Sequence, residues 1–177
     1  MTKIPALFSL FILAAAAACS PPASNEAPAA TSGQAQAAAE PAASSAPAVH
    51  DGRAIEITGN DTMKFSVTEI RAKAGERLSV TLRNVGTMPK FSMGHNWVLL
   101  AGGVDPEAFV VAAAEAPTTE YVPASKKSEI LAATKLLGPK ESDTVTFNAP
   151  STPGKYDYLC SFPGHFQVGM RGVLIVE

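Results

Sequence analysis

The run Cys160-Ser161-Phe162-Pro163-Gly164-His165-Phe166-Gln167-Val168-Gly169-Met170 places a thiol, an imidazole and a thioether within eleven residues. It constrains the fold more than any other segment. Tyr156 and Tyr158 precede Cys160 at the two-residue spacing of a strand, and Val173 to Val176 is an apolar run just beyond Met170. The pattern predicts a strand, a Pro-Gly turn and a second strand. A loop of that kind brings three side chains to one point. A lone Cys in an apolar strand is more often an inert core residue, and a lone Met is more often packing. The three together read as metal ligands.

The same alternation recurs upstream. Ile55 and Ile57 follow it, as do Met63, Phe65 and Val67; Leu78, Val80 and Leu82; and Val145 and Phe147. Turn signals fall between these runs at Gly59-Asn60-Asp61, Ala74-Gly75-Glu76, Gly86-Thr87-Met88-Pro89 and Pro153-Gly154. Short half-buried strands at regular spacing predict an all-β, Greek-key β-sandwich of residues 53–177. One stretch departs from the pattern. Asp105-Pro106-Glu107 opens an Ala-rich segment reaching Ala116. Asp105 can cap and Pro106 suits the first helical position, so a short helical flap is expected, in an insertion ending near Pro123.

The remaining segments speak of export. Lys3, the apolar stretch Ile4 to Ala18 and the small residues Ala16-Ala17-Ala18 form an export signal over residues 1–18, too short to span a bilayer comfortably. Cys19 follows at once and resembles the acylated Cys of a bacterial lipobox, with Ala16 where Leu is usual. Ordinary cleavage after Ala18, leaving a soluble periplasmic protein, is the alternative. Ser20 favours the outer membrane by resemblance to Gram-negative sorting. Residues 19–52 are mostly Ala, Pro and Ser, and residues 20–50 of such composition make a disordered tether. It would average about 30 Å end to end. With a net charge of −2 and no basic cluster, the chain has no general attraction to nucleic acid. Cys19 and Cys160 are the only cysteines, each has a more specific reading, and no structural disulfide is expected.

The chain has three histidines, and His50 stands at the linker boundary, which leaves His95 as the second imidazole of the folded part. Asn96 beside it can brace the loop by hydrogen bonding. Two imidazoles, one thiolate and one distant thioether are the donor set of a blue-copper electron-transfer site. Zinc competes for Cys and His, but structural zinc sites usually add a fourth Cys or His, and thioether suits copper better.

Several longer motifs carry a family resemblance across residues 53–177. Met93-Gly94-His95-Asn96-Trp97-Val98-Leu99 resembles the first-ligand motif of the azurins, and Gly59-Asn60-Asp61-Thr62-Met63-Lys64-Phe65 their N-terminal strand. Ala133-Thr134-Lys135-Leu136-Leu137-Gly138 and Asp143-Thr144-Val145-Thr146-Phe147 are similar to later segments. Met170 stands five residues after His165, a spacing that looks more like auracyanin, whereas azurins place it at four. The export signal and Ala/Pro linker resemble those of lipid-modified azurins. The resemblance implies a bacterial cupredoxin with one copper per domain, cycling between Cu(II) and Cu(I). It implies His95, Cys160 and His165 as equatorial ligands, Met170 as the axial ligand and the Gly94 carbonyl as a second weak axial contact. Trp97 would be the buried core aromatic. Asn84 stands at the family's pH-linked histidine position, so that switch is expected to be absent, as is the family's N-terminal disulfide. The implied function is one-electron transfer without catalysis. Redox proteins such as cytochromes, oxidases or reductases would dock near His165, on an apolar patch of Met63, Met88, Met93, Phe162 and Pro163. The alternatives are a copper store, which would favour Met- and His-rich tracts, and a surface interaction protein using the domain as a scaffold.

Overall fold

The structure is a computed structural model, and it describes residues 51–177. The export signal, Cys19, most of the linker and His50 lie outside the described residues. Within them, eight strands form two sheets. Strands β1 (Arg53–Gly59), β3 (Arg77–Asn84) and β6 (Ser142–Asn148) make the first, with β3 central. The second runs in the order β2 (Glu69–Ala72), β8 (Arg171–Val176), β7 (Gly154–Leu159), β4 (Val98–Leu100), β5 (Ile130–Ala133). Both sheets are mixed: β1 lies parallel to β3 and β2 parallel to β8, while the other pairs are antiparallel.

The predicted alternation sets what faces inward. Ile57, Leu78, Val80 and Leu82 from the first sheet share one core with Ile70, Leu99, Tyr158 and Leu174 from the second. Each large apolar side chain buried there stabilises the fold by about 1.5–3 kcal/mol. Three consecutive residues of β4 are buried, because this strand is covered on both faces. Leu99 points into the shared core, whereas Val98 and Leu100 join a second cluster with Leu159, Phe166, Phe109, Val110 and Ala113.

The last three come from helix α2 (Pro106–Ala114), which begins as its sequence predicts. Asp105 accepts the Glu107 N–H at 3.0 Å, and Pro106 stands in the first turn. The expected flap is thus a helix with Phe109 fully buried against the outer face of the second sheet. Short 3-10 turns at Pro117–Thr119 and Ala124–Glu129 follow it.

One expected strand does not form. Met63, Phe65 and Val67 alternate, yet the segment is a turn followed by a single bridge between Gly59 and Phe65. Asn60 prevents extension. Its side-chain oxygen accepts from both the Thr62 N–H and hydroxyl, and its carbonyl accepts the Met63 N–H at 2.9 Å. Such local side-chain bonds compete with a strand ladder. Met63 is left with φ of 55°. The three apolar side chains still pack on the core, but as a loop.

Candidate metal centre

The four expected ligands come from two stretches of the chain, His95 from one and Cys160, His165 and Met170 from a single loop. Cys160 directly follows β7, and its N–H donates to the Met170 carbonyl at 3.0 Å. Between them the loop makes a tight turn. The His165 N–H donates to the Phe162 carbonyl at 3.1 Å and the Met170 N–H to the His165 carbonyl at 2.9 Å. Gly169 has φ of +95°, a conformation an L side chain rarely adopts, so it absorbs the five-residue step from His165 to Met170. Lys64 reaches across and donates to the Val168 carbonyl. His95 is fixed from the other direction. It follows helix α1 (Lys90–Met93) and Gly94, and exchanges two backbone hydrogen bonds with Leu137 at 3.1 and 2.7 Å.

The donor atoms converge. His95 Nδ1 lies 3.3 Å from His165 Nδ1, and Cys160 Sγ lies 3.4 Å from the same nitrogen. The three donors all fall within 4.8 Å of one another, and all three residues are buried. An ion about 2.0–2.3 Å from each corner of a triangle sets its donors about 3.5–3.9 Å apart, close to the spacing seen. His95, Cys160 and His165 therefore fit a small first-row cation in shape and in chemistry. Met170 has no exposed surface. A Cβ built on Gly59 would meet both Met170 Cε at 2.8 Å and His95 Cδ2 at 3.2 Å, so the thioether arm and the imidazole lie against the same backbone point. Gly94 is buried and extended where it closes α1.

Burial dominates the electrostatics. It pushes the Cys160 thiol up to about 12, partly opposed by the Asn96 and Phe162 N–H groups that face the sulfur. It pushes His165 down to about 4, helped by the neighbouring His95. His95 is lowered by burial too, against the Asn60 carbonyl and the Asp61 carboxylate. His95 Nε2 is buried without a hydrogen bond of normal geometry, and the Asn60 carbonyl is its neighbouring acceptor. Burial thus favours the neutral form of both rings, the form a metal ligand requires.

Asn96 braces the ligand loop as expected. Its Nδ2 donates to Ser161 Oγ and its Oδ1 accepts the Ser161 N–H, both at 2.8 Å. Trp97 is fully buried in the core and packs on Tyr158 and Phe147. Asn84 is buried and satisfied at both ends, by the Leu137 carbonyl at 3.1 Å and the Gly86 N–H at 2.9 Å, with no group that titrates. The apolar residues expected at the surface divide. Met88 and Pro163 are exposed, Met63 and Met93 half-buried, and Phe162 buried with its ring centroid 4.6 Å from that of His165. Phe91, 83% exposed, was not singled out by sequence reasoning, although it lies two residues before Met93. Glu120 and Tyr121, which contact Asn96 and Ser161, carried no recognisable motif.

Two sheets sharing a core, with a Cys-His-His cluster at one end, define a cupredoxin-like protein with a type 1 copper site. Residues 53–177 match the profile of the copper binding proteins, plastocyanin/azurin family, and the chain belongs to that family. Over 125 residues it is 39% identical to azurin of Achromobacter denitrificans, covering 67% of this chain and 80% of that one. It is 35% identical to outer membrane protein H.8 of Neisseria gonorrhoeae, covering 70% of this chain and 68% of that one. Among solved structures, reduced auracyanin from Roseiflexus castenholzii matches with a TM-score of 0.63 and 36% identity, over 70% of this chain and 96% of that one. His95, Cys160 and His165 form the single copper-binding site of the domain, and the protein is an electron carrier, not an enzyme.

Proposed function

We propose that Met170 and the Gly94 carbonyl complete the site as weak axial contacts, and that electrons pass at the His165 edge to redox partners docked on an apolar patch. The convergence of His95, Cys160 and His165 carries the reading. Bound copper supplies a one-electron Cu(II)/Cu(I) couple. The protein supplies the rest. Cys160 must lose its proton to bind, the two rings turn their Nδ1 atoms toward the shared point, and the burial of all three excludes water. Met170 Cε and His95 Cδ2 both lie within 3.2 Å of where a Gly59 Cβ would stand, and this closeness of the thioether arm to the imidazole supports its place on the axis. Copper added to the domain should give an intense visible band that disappears on reduction. A colourless copper complex would overturn the assignment.

For docking we assign Met63, Met88, Met93, Phe162 and Pro163, with Phe91 added for its exposure. Phe162 contributes by stacking on His165, and it lines a groove together with Phe91 and Tyr121. Cytochromes, oxidases or reductases that bind weakly and briefly fit such a surface. We further propose three segments: an export signal over 1–18, a tether over 19–52 and the copper domain over 53–177. Acylation at Cys19 would anchor the chain in the cell envelope. Likeness to a protein named for the outer membrane supports that placement.

A further inference from the structure

Glu120 and Tyr121 follow one another with φ of 55° and 62°. Neither is glycine, and left-handed backbone in two successive ordinary residues is strained, at roughly 1–3 kcal/mol each. Such a turn persists only where its surroundings over-determine it. Here they do. One Glu120 carboxylate oxygen accepts from Lys90 Nζ at 2.8 Å and the other from the Leu136 N–H at 3.1 Å. The Tyr121 ring packs on both core clusters and meets Phe162 edge-on at 5.0 Å. The strain aims two carbonyls at one target. The Glu120 carbonyl accepts Asn96 Nδ2 at 3.3 Å, and the Tyr121 carbonyl accepts Ser161 Oγ at 2.7 Å. Asn96 and Ser161 are each one residue from a copper ligand, His95 and Cys160, and are tied to one another by two further hydrogen bonds.

We propose that the Glu120–Tyr121 turn is a positioning element of the copper site: its carbonyls hold the Asn96–Ser161 latch, and the latch holds the peptide N–H groups that face the Cys160 sulfur. The inference rests on the type 1 copper reading and deepens it. An N–H dipole aimed at the thiolate favours the reduced state, which carries one more electron at the site. Hydrogen bonds to the Cys sulfur are a recognised control of potential in such sites. Loosening the turn should lower the potential. The α2 insertion would then do more than cover the second sheet, because its far end sets the electronics of the site.

The test uses copper-loaded full chain carrying Tyr121→Gly or Glu120→Gln. Glycine accepts the positive φ without strain and frees the carbonyl. Glutamine keeps one acceptor but loses the charged tie to Lys90. Two quantities are read: the midpoint potential, and amide hydrogen exchange at Ser161 and Phe162 in the copper-free protein. Tyr121→Gly should stay blue, show a lower potential and exchange about tenfold faster at those amides, the scale expected for loss of one tie. Glu120→Gln should move both in the same direction by less. Against a Ser161→Ala background, Tyr121→Gly should add little to either. Unmoved potential and exchange in a folded blue variant overturn the proposal. A shifted potential without faster exchange overturns it too, because the latch is then not involved. If Tyr121→Gly does not fold, Glu120→Gln decides by the same two readouts. A wild-type chain that binds copper without colour refutes the copper reading instead, which keeps the two failures apart.

Discussion

Gly59→Ala is the most direct probe of how the site is packed. The new Cβ would stand 2.8 Å from Met170 Cε and 3.2 Å from His95 Cδ2. Non-bonded carbons settle at about 3.5–4.0 Å, so the methionine methyl must withdraw by about 1 Å. Met170 has no exposed surface, so it retreats into a filled interior. Overpacking of this kind costs about 1–3 kcal/mol, and the flexible thioether favours the lower end. For a domain of this size each kcal/mol lowers the melting temperature by roughly 4 °C, so a drop of about 4–12 °C is expected by calorimetry. The visible spectrum and potential of the copper form should shift with it, because the displaced group is the proposed axial ligand. Gly154→Ala is the control: its nearest neighbour is Tyr156 Cε2 at an ordinary 3.7 Å. Combining Gly59→Ala with Met170→Ala removes the closest overlap and leaves only the 3.2 Å approach to His95, so Gly59→Ala should cost less in the Met170→Ala background than in the wild type. A Gly59→Ala domain with the melting temperature and spectrum of wild type would refute the packing argument.

Cys160→Ser should abolish the visible copper band, while Met170→Ala should keep copper, shift the spectrum and lose about 2–5 kcal/mol of stability to the cavity, read by absorbance and denaturant titration. The copper-free domain should lose stability as pH falls from about 6.5 towards about 4, since His165 titrates lower when folded and the unfolded chain then binds the extra proton. Stability is full above pH 6.5, the loss reaches about 3 kcal/mol near pH 4, and urea melts across that window check the sign and size. Copper loading at neutral pH should release about one proton per ion, because burial keeps the Cys160 thiol protonated until metal displaces it, and a weakly buffered dye titration measures this. Cys19→Ala should remove labelling by a fatty-acid analogue and move the chain out of the membrane fraction.

The ligands Cys160 and His165, and the proposed axial Met170, are legible because their chemistry is local. Cys160, His165 and Met170 lie in one loop, and the strand patterns on either side predict where that loop begins and ends. His95 was reached by elimination, and its register opposite Leu137 depends on pairing that no local pattern encodes. Strands β2, β4 and β5 are short, three or four residues each, which leaves little room for alternation to show. β4 is buried on both faces, so alternation is lost there altogether. The expected strand through Met63, Phe65 and Val67 had the right period and the wrong partner chemistry, since Asn60 closes a turn first. Glu120 and Tyr121 were invisible for a different reason. Their role lies in backbone carbonyls and positive φ, and neither is written in side-chain type.

How the three ligands and the proposed axial Met170 are joined explains why this fold suits electron transfer. Cys160 and Met170 share a backbone hydrogen bond, and so do Met170 and His165, so displacing any one of the three pulls on its neighbours. His95 is tied to Leu137 by two backbone bonds, and His165 is stacked on Phe162. The Asn96–Ser161 latch then joins the His95 segment to the Cys160 segment across 65 residues of sequence. No ligand hangs on a free side chain or an open loop. A site so constrained offers both oxidation states nearly the same donor positions, and little nuclear motion need accompany the electron. The same constraint makes the site sensitive to its supports: Gly59 acts through the Met170 thioether, and the Glu120–Tyr121 turn acts through the Asn96–Ser161 latch. Substitutions at Gly59 or in the turn should therefore change the potential while His95, Cys160 and His165 still hold copper, a pattern that simple loss of fold could not reproduce.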